Sequence, residues 1–319
     1  MPLPSIDSRT QLAGLIGWPV EHSLSPLMHN AAFDALGMNW RYLPLPVPPD
    51  KIHAAVQGLG ALGFRGANVT VPHKQAVLRA LGRLLGPRAI APDAAALGAV
   101  NTLVVEQDKT DEPVVTGHNT DAAGFVRALR TAGIRLDGIS AVVVGAGGGA
   151  RAVVYGLIQA GAAPVTVLNR SVEHAEALVA DLAAATAKSE TAPGRAVNGP
   201  HASTLRAAPL STSALLEESR TATLMVHATP VGMWPRDDAS IWPDDAPLPA
   251  HLTVLDLVYN PSPTKLLRQA EASGARAIDG LEMLVQQGVL AFAMWTGREA
   301  PVEVMRRTCR RALGSSPRP

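Results

Sequence analysis

Apolar residues recur along the chain in short runs separated by amphipathic stretches, the pattern expected of alternating strands and helices. Runs 12–16, 40–45 and 66–71 predict strands. Between the first two, Ser25-Pro26 predicts a helix start, with Ser25 as N-cap and Pro26 at the first helical position, running to Leu36-Gly37. A helix over about 49–59 follows, and Pro72 opens another. Runs 100–106 and 114–117 predict a hairpin across the polar turn 107–112, and 119–131 predicts a helix. Beyond it come a strand over 139–144, a helix over 151–160, a strand over 164–168 and a helix over 172–187. Strands over 224–227 and 253–257 and helices over 281–295 and 301–313 complete the pattern. Segment 188–213, rich in Ala, Ser, Thr and Pro, reads as an exposed insertion, 234–249 as loop, and 314–319 as a frayed tail. The whole predicts an α/β protein with parallel sheets.

One junction in this pattern carries chemistry. The apolar strand ending at Val144 meets Gly145-Ala146-Gly147-Gly148-Gly149-Ala150, and an amphipathic helix follows. Strand, glycine turn and helix together form a dinucleotide-binding unit. The glycines let the backbone approach a pyrophosphate, and the helix N-terminus supplies unpaired N–H groups to it. A second strand returns at 164–168, as a βαβ unit requires. Where an NAD site would place an Asp or Glu at the end of that strand, this chain has Asn169-Arg170-Ser171. A guanidinium suits a ribose 2′-phosphate, which points to NADP; Ser171 is compatible with capping the next helix.

Composition narrows the remaining possibilities. A length of 319 residues suggests two domains. A net charge of +1 offers no reason to invoke nucleic acid. No apolar run approaches the ~20 residues that span a bilayer, and the first ten residues lack the apolar core of a signal peptide. The single cysteine, Cys309, fits a reducing cytosol, and the nine histidines show no metal-ligand spacing. A homodimer is an assembly that the sequence leaves open.

The glycine turn starts near the middle of the chain, and four polar motifs precede or adjoin it. They are Gly17-Trp-Pro-Val-Glu-His-Ser23-Leu-Ser25-Pro26, Asn68-Val-Thr70-Val-Pro72-His-Lys74, Gly98-Ala-Val-Asn101-Thr102 and Gly117-His-Asn119-Thr-Asp121. Each follows or ends a predicted strand, where open α/β sheets place ligand-binding residues. With Ala228-Thr229-Pro-Val-Gly232-Met233, Asp256-Leu-Val-Tyr259-Asn260-Pro261, Thr264 and Gly280-Leu-Glu-Met283-Leu-Val-Gln-Gln287, they resemble the shikimate dehydrogenase family over nearly the whole chain.

The resemblance implies NADPH-dependent reduction of 3-dehydroshikimate in aromatic amino-acid biosynthesis. It implies Lys74 as acid/base, since hydride transfer to a ketone needs a proton for the developing alkoxide, with Asp121 as its partner. It implies Ser23 and Ser25 at the substrate carboxylate, with Tyr259 nearby, and Thr70, Asn101 and Gln287 at substrate hydroxyls. Gly280 joins the glycine turn, Asn169, Arg170 and Ser171 on the cofactor side. His22, His29 and His73 lie within or beside these motifs and read as structural or supporting.

Two residues depart from the family's common pattern: Gly149, where many relatives carry Ala, and His227, where Asn is common. The expected architecture is an N-terminal α/β substrate domain, 1–120 plus 281–319, and a Rossmann-like NADP-binding domain, 121–280, separated by a deep cleft that holds the active site. Two alternatives stand beside this reading: an NAD-dependent quinate/shikimate dehydrogenase, and a non-catalytic dinucleotide-binding regulator. Intact Lys74 and Asp121 disfavour the second, because a sensor need not keep a proton-transfer pair.

Overall fold

Runs of buried apolar residues build two sheets, each covered by helices. The structure is a computed structural model that describes residues 6–107, 113–190 and 205–315. The chain divides into two compact units, one of Met1–Thr120 with Val285–Pro319 and one of Asp121–Leu284. Among the described residues, no helix is long and apolar enough to cross a membrane.

The first unit contains β1 (Gln11–Gly17), α1 (Ser25–Ala35), β2 (Trp40–Pro46), α2 (Ile52–Ala61), β3 (Phe64–Val69), α3 (Lys74–Leu84), α4 (Pro92–Leu97), β4 (Thr102–Gln107) and β5 (Pro113–His118). Its five-stranded sheet has the order β2-β1-β3-β4-β5. β1 pairs in parallel with β2 and β3, whereas β4 runs antiparallel to both β3 and β5. This sheet is therefore mixed, a correction to the expectation of parallel sheets throughout. The predicted hairpin is its cause, because a connection as short as 108–112 can join only antiparallel neighbours. Ile16, Val56, Leu59, Val69, Val77, Leu81 and Leu103 form the core on one face.

The second unit contains α5 (Asp121–Thr131), β6 (Ala141–Val144), α6 (Gly148–Gln159), β7 (Val165–Asn169), α7 (Val172–Glu190), β8 (Leu205–Pro209), α8 (Thr212–Thr221), β9 (Leu224–His227), β10 (Thr253–Asp256), α9 (Lys265–Ala272) and β11 (Arg276–Asp279). Its six-stranded sheet, β11-β10-β9-β6-β7-β8, is wholly parallel. Alternate residues of β6 feed opposite cores: Val143 packs with Val153, Leu157 and Val226, while Val142 and Val144 pack with Met225, Leu252 and Leu266. Burial on both faces is why this strand reads as a continuous apolar run. α10 (Leu281–Thr296) starts in the second unit and ends in the first, where α11 (Val302–Ser315) follows.

Several boundaries correct the sequence reading. Ser25 is the first residue of α1, not its N-cap; Leu24 holds that position, and no side chain caps the helix. α3 begins at Lys74 rather than Pro72, because residues 70–73 close a turn in which the His73 N–H donates to the Thr70 carbonyl at 2.9 Å. Leu205–Pro209, expected within an exposed insertion, is an edge strand paired in parallel with β7. The rest of that segment up to residue 204, the turn 108–112 and the last four residues lie outside the described residues, apart from the end of α7. The loop after β9 contributes to the core through Trp242, whose indole N–H donates to the Ala246 carbonyl at 2.8 Å.

His29 sits fully buried in α1 with neither ring nitrogen hydrogen-bonded. It stacks on Tyr42 at 4.5 Å between ring centroids. Burial disfavours the imidazolium and holds its pKa down to about 3. Because the unfolded chain takes up this proton from about pH 6.5 downward while the folded chain does not, stability falls as pH drops through 6.5 towards 3. Urea unfolding at pH 8 and pH 5.5 should therefore show wild type losing about 1.4 kcal/mol more than His29→Phe over that step. Equal losses would mean that the buried imidazole does not carry this pH dependence.

Candidate active site

The polar motifs of the first unit emerge along one edge of its sheet. β1 and β3 end there, antiparallel β4 begins there, and β5 returns to it. Main-chain hydrogen bonds align the four: Thr70 N–H to the Ile16 carbonyl at 2.8 Å, Val69 N–H to the Asn101 carbonyl at 2.7 Å, and Asn101 N–H to the His118 carbonyl at 3.0 Å. Ser23 and Ser25 follow β1, and the Ser25 N–H donates to the Ser23 hydroxyl at 3.2 Å. Thr70 and Lys74 follow β3; both are half-buried, and Lys74 is the first residue of α3. Its carbonyl accepts from the Val100 N–H at 3.0 Å, which ties α3 to the strand that brings Asn101. The edge thus gathers Ser23, Ser25, Thr70, Lys74 and Asn101. Gln287 lies buried on α10, next to Gly288, where a Cβ would stand 2.4 Å from the terminal methyl of Met28.

Asn101 is almost fully buried, and its side chain is bound in place. The carboxamide oxygen accepts from the Thr120 N–H at 2.7 Å and the Thr102 hydroxyl at 3.0 Å; the nitrogen donates to the Thr120 hydroxyl at 3.0 Å. Further in, the Asn68 amide nitrogen donates to the Thr102 hydroxyl at 3.2 Å, and its oxygen accepts from the Tyr42 hydroxyl at 2.8 Å. Burial pushes the Tyr42 phenol well above its ordinary pKa, while the adjacent Ser25 hydroxyl pulls the other way. His73 is held by a 2.7 Å bond between its Nε2 and the Val47 carbonyl.

In the second unit, β6 runs into Gly145, which has φ +117°, and its N–H donates to the Leu168 carbonyl at 2.8 Å. A side chain there would stand 2.8 Å from the Ala228 carbonyl oxygen, so the turn needs glycine twice over. Gly147, Gly148 and Gly149 are exposed at the start of α6, and Ala150 is buried against the sheet. Four-residue runs of unpaired N–H groups at such a start suit a phosphate. Asn169 ends β7, with its amide donating to the Ser171 carbonyl at 2.9 Å. Arg170 and Ser171 follow, exposed, just before α7. The residues present therefore fit a dinucleotide: a glycine cradle beside an exposed guanidinium.

Gly280 follows β11. A Cβ there would lie 2.3 Å from the Leu257 carbonyl oxygen. Leu257 also approaches the departing glycine: its Cδ1 is 3.1 Å from where a Cβ of Gly149 would stand. Tyr259, half-buried, follows β10, and Asp121 opens α5. His227 is buried at the end of β9, with Nδ1 2.8 Å from Asp256 and Nε2 against the Thr229 hydroxyl. Asp256 also accepts from the Thr264 hydroxyl at 2.7 Å and the Val258 N–H at 3.0 Å.

Comparison with known proteins agrees with both halves. Residues 15–103 match the shikimate dehydrogenase substrate binding domain, 127–193 the shikimate/quinate 5-dehydrogenase family, and 280–310 the shikimate 5'-dehydrogenase C-terminal domain. A shikimate dehydrogenase (NADP(+)) of Moorella thermoacetica is 45% identical over 311 residues, covering 98% of this chain and 96% of the relative. The chain belongs to the shikimate dehydrogenase family. Among solved members, a shikimate dehydrogenase in complex with NADP+ superposes with a TM-score of 0.82 at 35% identity, covering 97% of this chain and 98% of the other. The Thermus thermophilus enzyme in complex with NADP(H) and shikimate gives 0.77 at 36% identity, covering 95% of this chain and all (100%) of the other.

Within this family framework, Tyr42, Thr120 and Leu257 are the contacts that sequence reasoning did not single out. Tyr42 is one of three tyrosines in an aromatic-poor chain and falls on a strand, which was a usable signal. Leu257 carried none, because any apolar residue looks alike in a strand pattern. Two glycines with different surroundings should separate packing from ligand access. Gly280→Ala should lower stability by roughly 1–3 kcal/mol, since it drives a methyl group into a carbonyl. Gly147→Ala, which meets open space, should leave the melting temperature nearly unchanged and weaken dinucleotide binding. Thermal unfolding and cofactor titration of both variants check the contrast, and the opposite ordering of stabilities would refute it.

Proposed function

We propose that this chain catalyses the NADP-dependent, reversible reduction of 3-dehydroshikimate to shikimate, a step of aromatic amino-acid biosynthesis. The observation that carries the reading is the gathering of Ser23, Ser25, Thr70, Lys74 and Asn101 on one sheet edge, in a chain that also exposes Gly147 to Gly149 at the head of α6. The glycine turn would hold NADPH, which would supply the hydride. Lys74 donates the proton that the reduced carbonyl oxygen needs and takes it back in the reverse direction. A cation at a helix N-terminus opposes the helix dipole, so its position is unfavourable as a structural device and is better explained by chemistry. Asp121 is the proposed carboxylate that works with Lys74.

Ser23 and Ser25 are proposed to donate to the substrate carboxylate, with Tyr259 nearby, and Thr70, Asn101 and Gln287 to hold its hydroxyls. Asn169, Arg170 and Ser171 are proposed to hold the adenosine side of the cofactor, with the guanidinium on the 2′-phosphate. Gly280 is proposed to lie on the cofactor side, where its close approach to the Leu257 and Asp256 carbonyls leaves no room for a side chain. Arg170 disfavours the NAD-dependent quinate reading, and retained Lys74 and Asp121 disfavour a non-catalytic regulator. A cytoplasmic setting belongs to the same proposal; it is supported by the single, buried Cys309, whose thiol burial pushes up to about 12.

Initial rates with shikimate or quinate, each with NADP or NAD, test the reading; shikimate with NADP should be preferred, and faster turnover with quinate and NAD would overturn it. Lys74→Ala should lower kcat by ~10²-fold or more with KM within a few-fold; near-normal turnover would remove Lys74 from the mechanism. Arg170→Ala should raise the KM for NADP and leave that for NAD nearly unchanged, whereas equal loss with both cofactors would refute the 2′-phosphate assignment.

A further inference from the structure

Two main-chain groups with fixed roles orient the buried polar chain beneath the first sheet's edge. The Thr120 N–H can only donate, so the Asn101 atom 2.7 Å from it is the carboxamide oxygen. The Asn101 carbonyl can only accept, so the Asn68 atom facing it at 3.4 Å is the amide nitrogen. With that amide set, the Asn68 oxygen points at Tyr42, and the phenol must donate to it at 2.8 Å. The Asn68 nitrogen occupies a lone pair of the Thr102 hydroxyl, which lies 3.0 Å from the Asn101 oxygen and 3.2 Å from the Thr120 hydroxyl; the Asn101 oxygen, the nearer of the two and able only to accept, takes the Thr102 proton. Every bond from Tyr42 to Asn101 therefore runs in one direction.

The chain is also rigid. Tyr42, Asn68, Asn101, Thr102 and Thr120 are all at least nine-tenths buried. The Tyr42 ring is clamped by the His29 stack, and its main chain exchanges two hydrogen bonds with the Asn30 side chain, at 2.8 and 2.9 Å. Bonds of this kind polarise one another in a low-dielectric interior, so the chain behaves as a unit.

We propose that Tyr42 is a positioning residue: through Asn68 and Thr102 it locks the Asn101 carboxamide with its oxygen turned inward, so that Asn101 meets substrate as a hydrogen-bond donor through Nδ2. The group that Asn101 recognises is then an oxygen lone pair of the substrate, not a hydroxyl proton. This inference rests on the reading of Asn101 as a substrate contact. The other flank of Tyr42 faces the Ser25 hydroxyl, so the same phenol touches one proposed substrate contact and reaches another only through Asn68 and Thr102.

Tyr42→Phe removes the first donor and keeps the ring on His29. KM for shikimate should rise about 5- to 30-fold, with kcat changed less than about 3-fold and KM for NADP unchanged. A purely structural tyrosine would lower stability without moving KM, so the deciding measurement is a double-mutant cycle with Asn101→Ala. In that background, Tyr42→Phe should leave KM unaltered while still lowering the urea midpoint. A KM within twofold of wild type, or the same fold-rise with and without Asn101, would overturn the proposal. If Tyr42→Phe fails to fold, Asn68→Asp serves instead; it keeps the acceptor for Tyr42 and loses the donor to Thr102, and the same criteria apply. Wild-type protein inactive on shikimate with NADP would overturn the functional reading and this inference with it; an active wild type with an unmoved KM would overturn the inference alone.

Discussion

A buried primary amide must find partners for its oxygen and its nitrogen, and in the first unit that constraint falls on Asn101. Its main chain bridges β3 and the end of β5, through bonds to Val69 and His118, and its side chain binds Thr120 and Thr102. Removing the amide would leave several buried donors and acceptors unpaired at once, each costing about 1–3 kcal/mol. The sheet edge that presents Ser23, Thr70 and Lys74 is aligned by the same bonds. Positions of the chemical groups therefore follow from hydrogen-bond satisfaction in the layer beneath them.

The second unit meets the same problem with different means. Its strand ends carry a buried His227–Asp256 pair, closed by Thr229, Thr264 and the Val258 N–H, so no carboxylate oxygen is stranded. That arrangement fixes the segment after β9, whose Ala228 carbonyl lies so close to Gly145 that only glycine fits. The departures at His227 and Gly149 then have a physical setting. A histidine at 227 can bridge Asp256 and Thr229 with its two nitrogens. Gly149 faces Leu257, a flexible side chain, so its missing methyl group relieves a tight contact without being required by the backbone.

Legibility of the fold followed the strength of local patterns. The apolar strands 139–144, 164–168 and 224–227 read clearly because burial on both faces leaves continuous runs, and the glycine turn stood out by composition. The edge strand Leu205–Pro209 did not, because its residues are largely half-exposed and it sits beside an Ala/Ser/Thr/Pro stretch. The short helix Pro92–Leu97, the helices Thr212–Thr221 and Lys265–Ala272, and the edge strand Arg276–Asp279 were likewise unmarked. Ser25-Pro26 looked like a capping pair, yet the Ser25 side chain lies against Tyr42, a partner seventeen positions away that helix rules do not include. The candidate site was legible to the extent that its residues lie in compact motifs.

What the sequence determined by itself was the alternation of strands and helices, the glycine cradle with Arg170 after it, and the polar motifs proposed for proton transfer and carboxylate binding. Those features are local, carried within a few residues of one another. The tertiary structure alone decided the strand order β2-β1-β3-β4-β5, and with it which polar groups share a bond. Tyr42 meets Asn68 across 26 positions, Asn68 meets Thr102 across 34, and His227 meets Asp256 across 29. Such partnerships depend on which strands become neighbours and in what register, and periodicity along a chain holds no record of either.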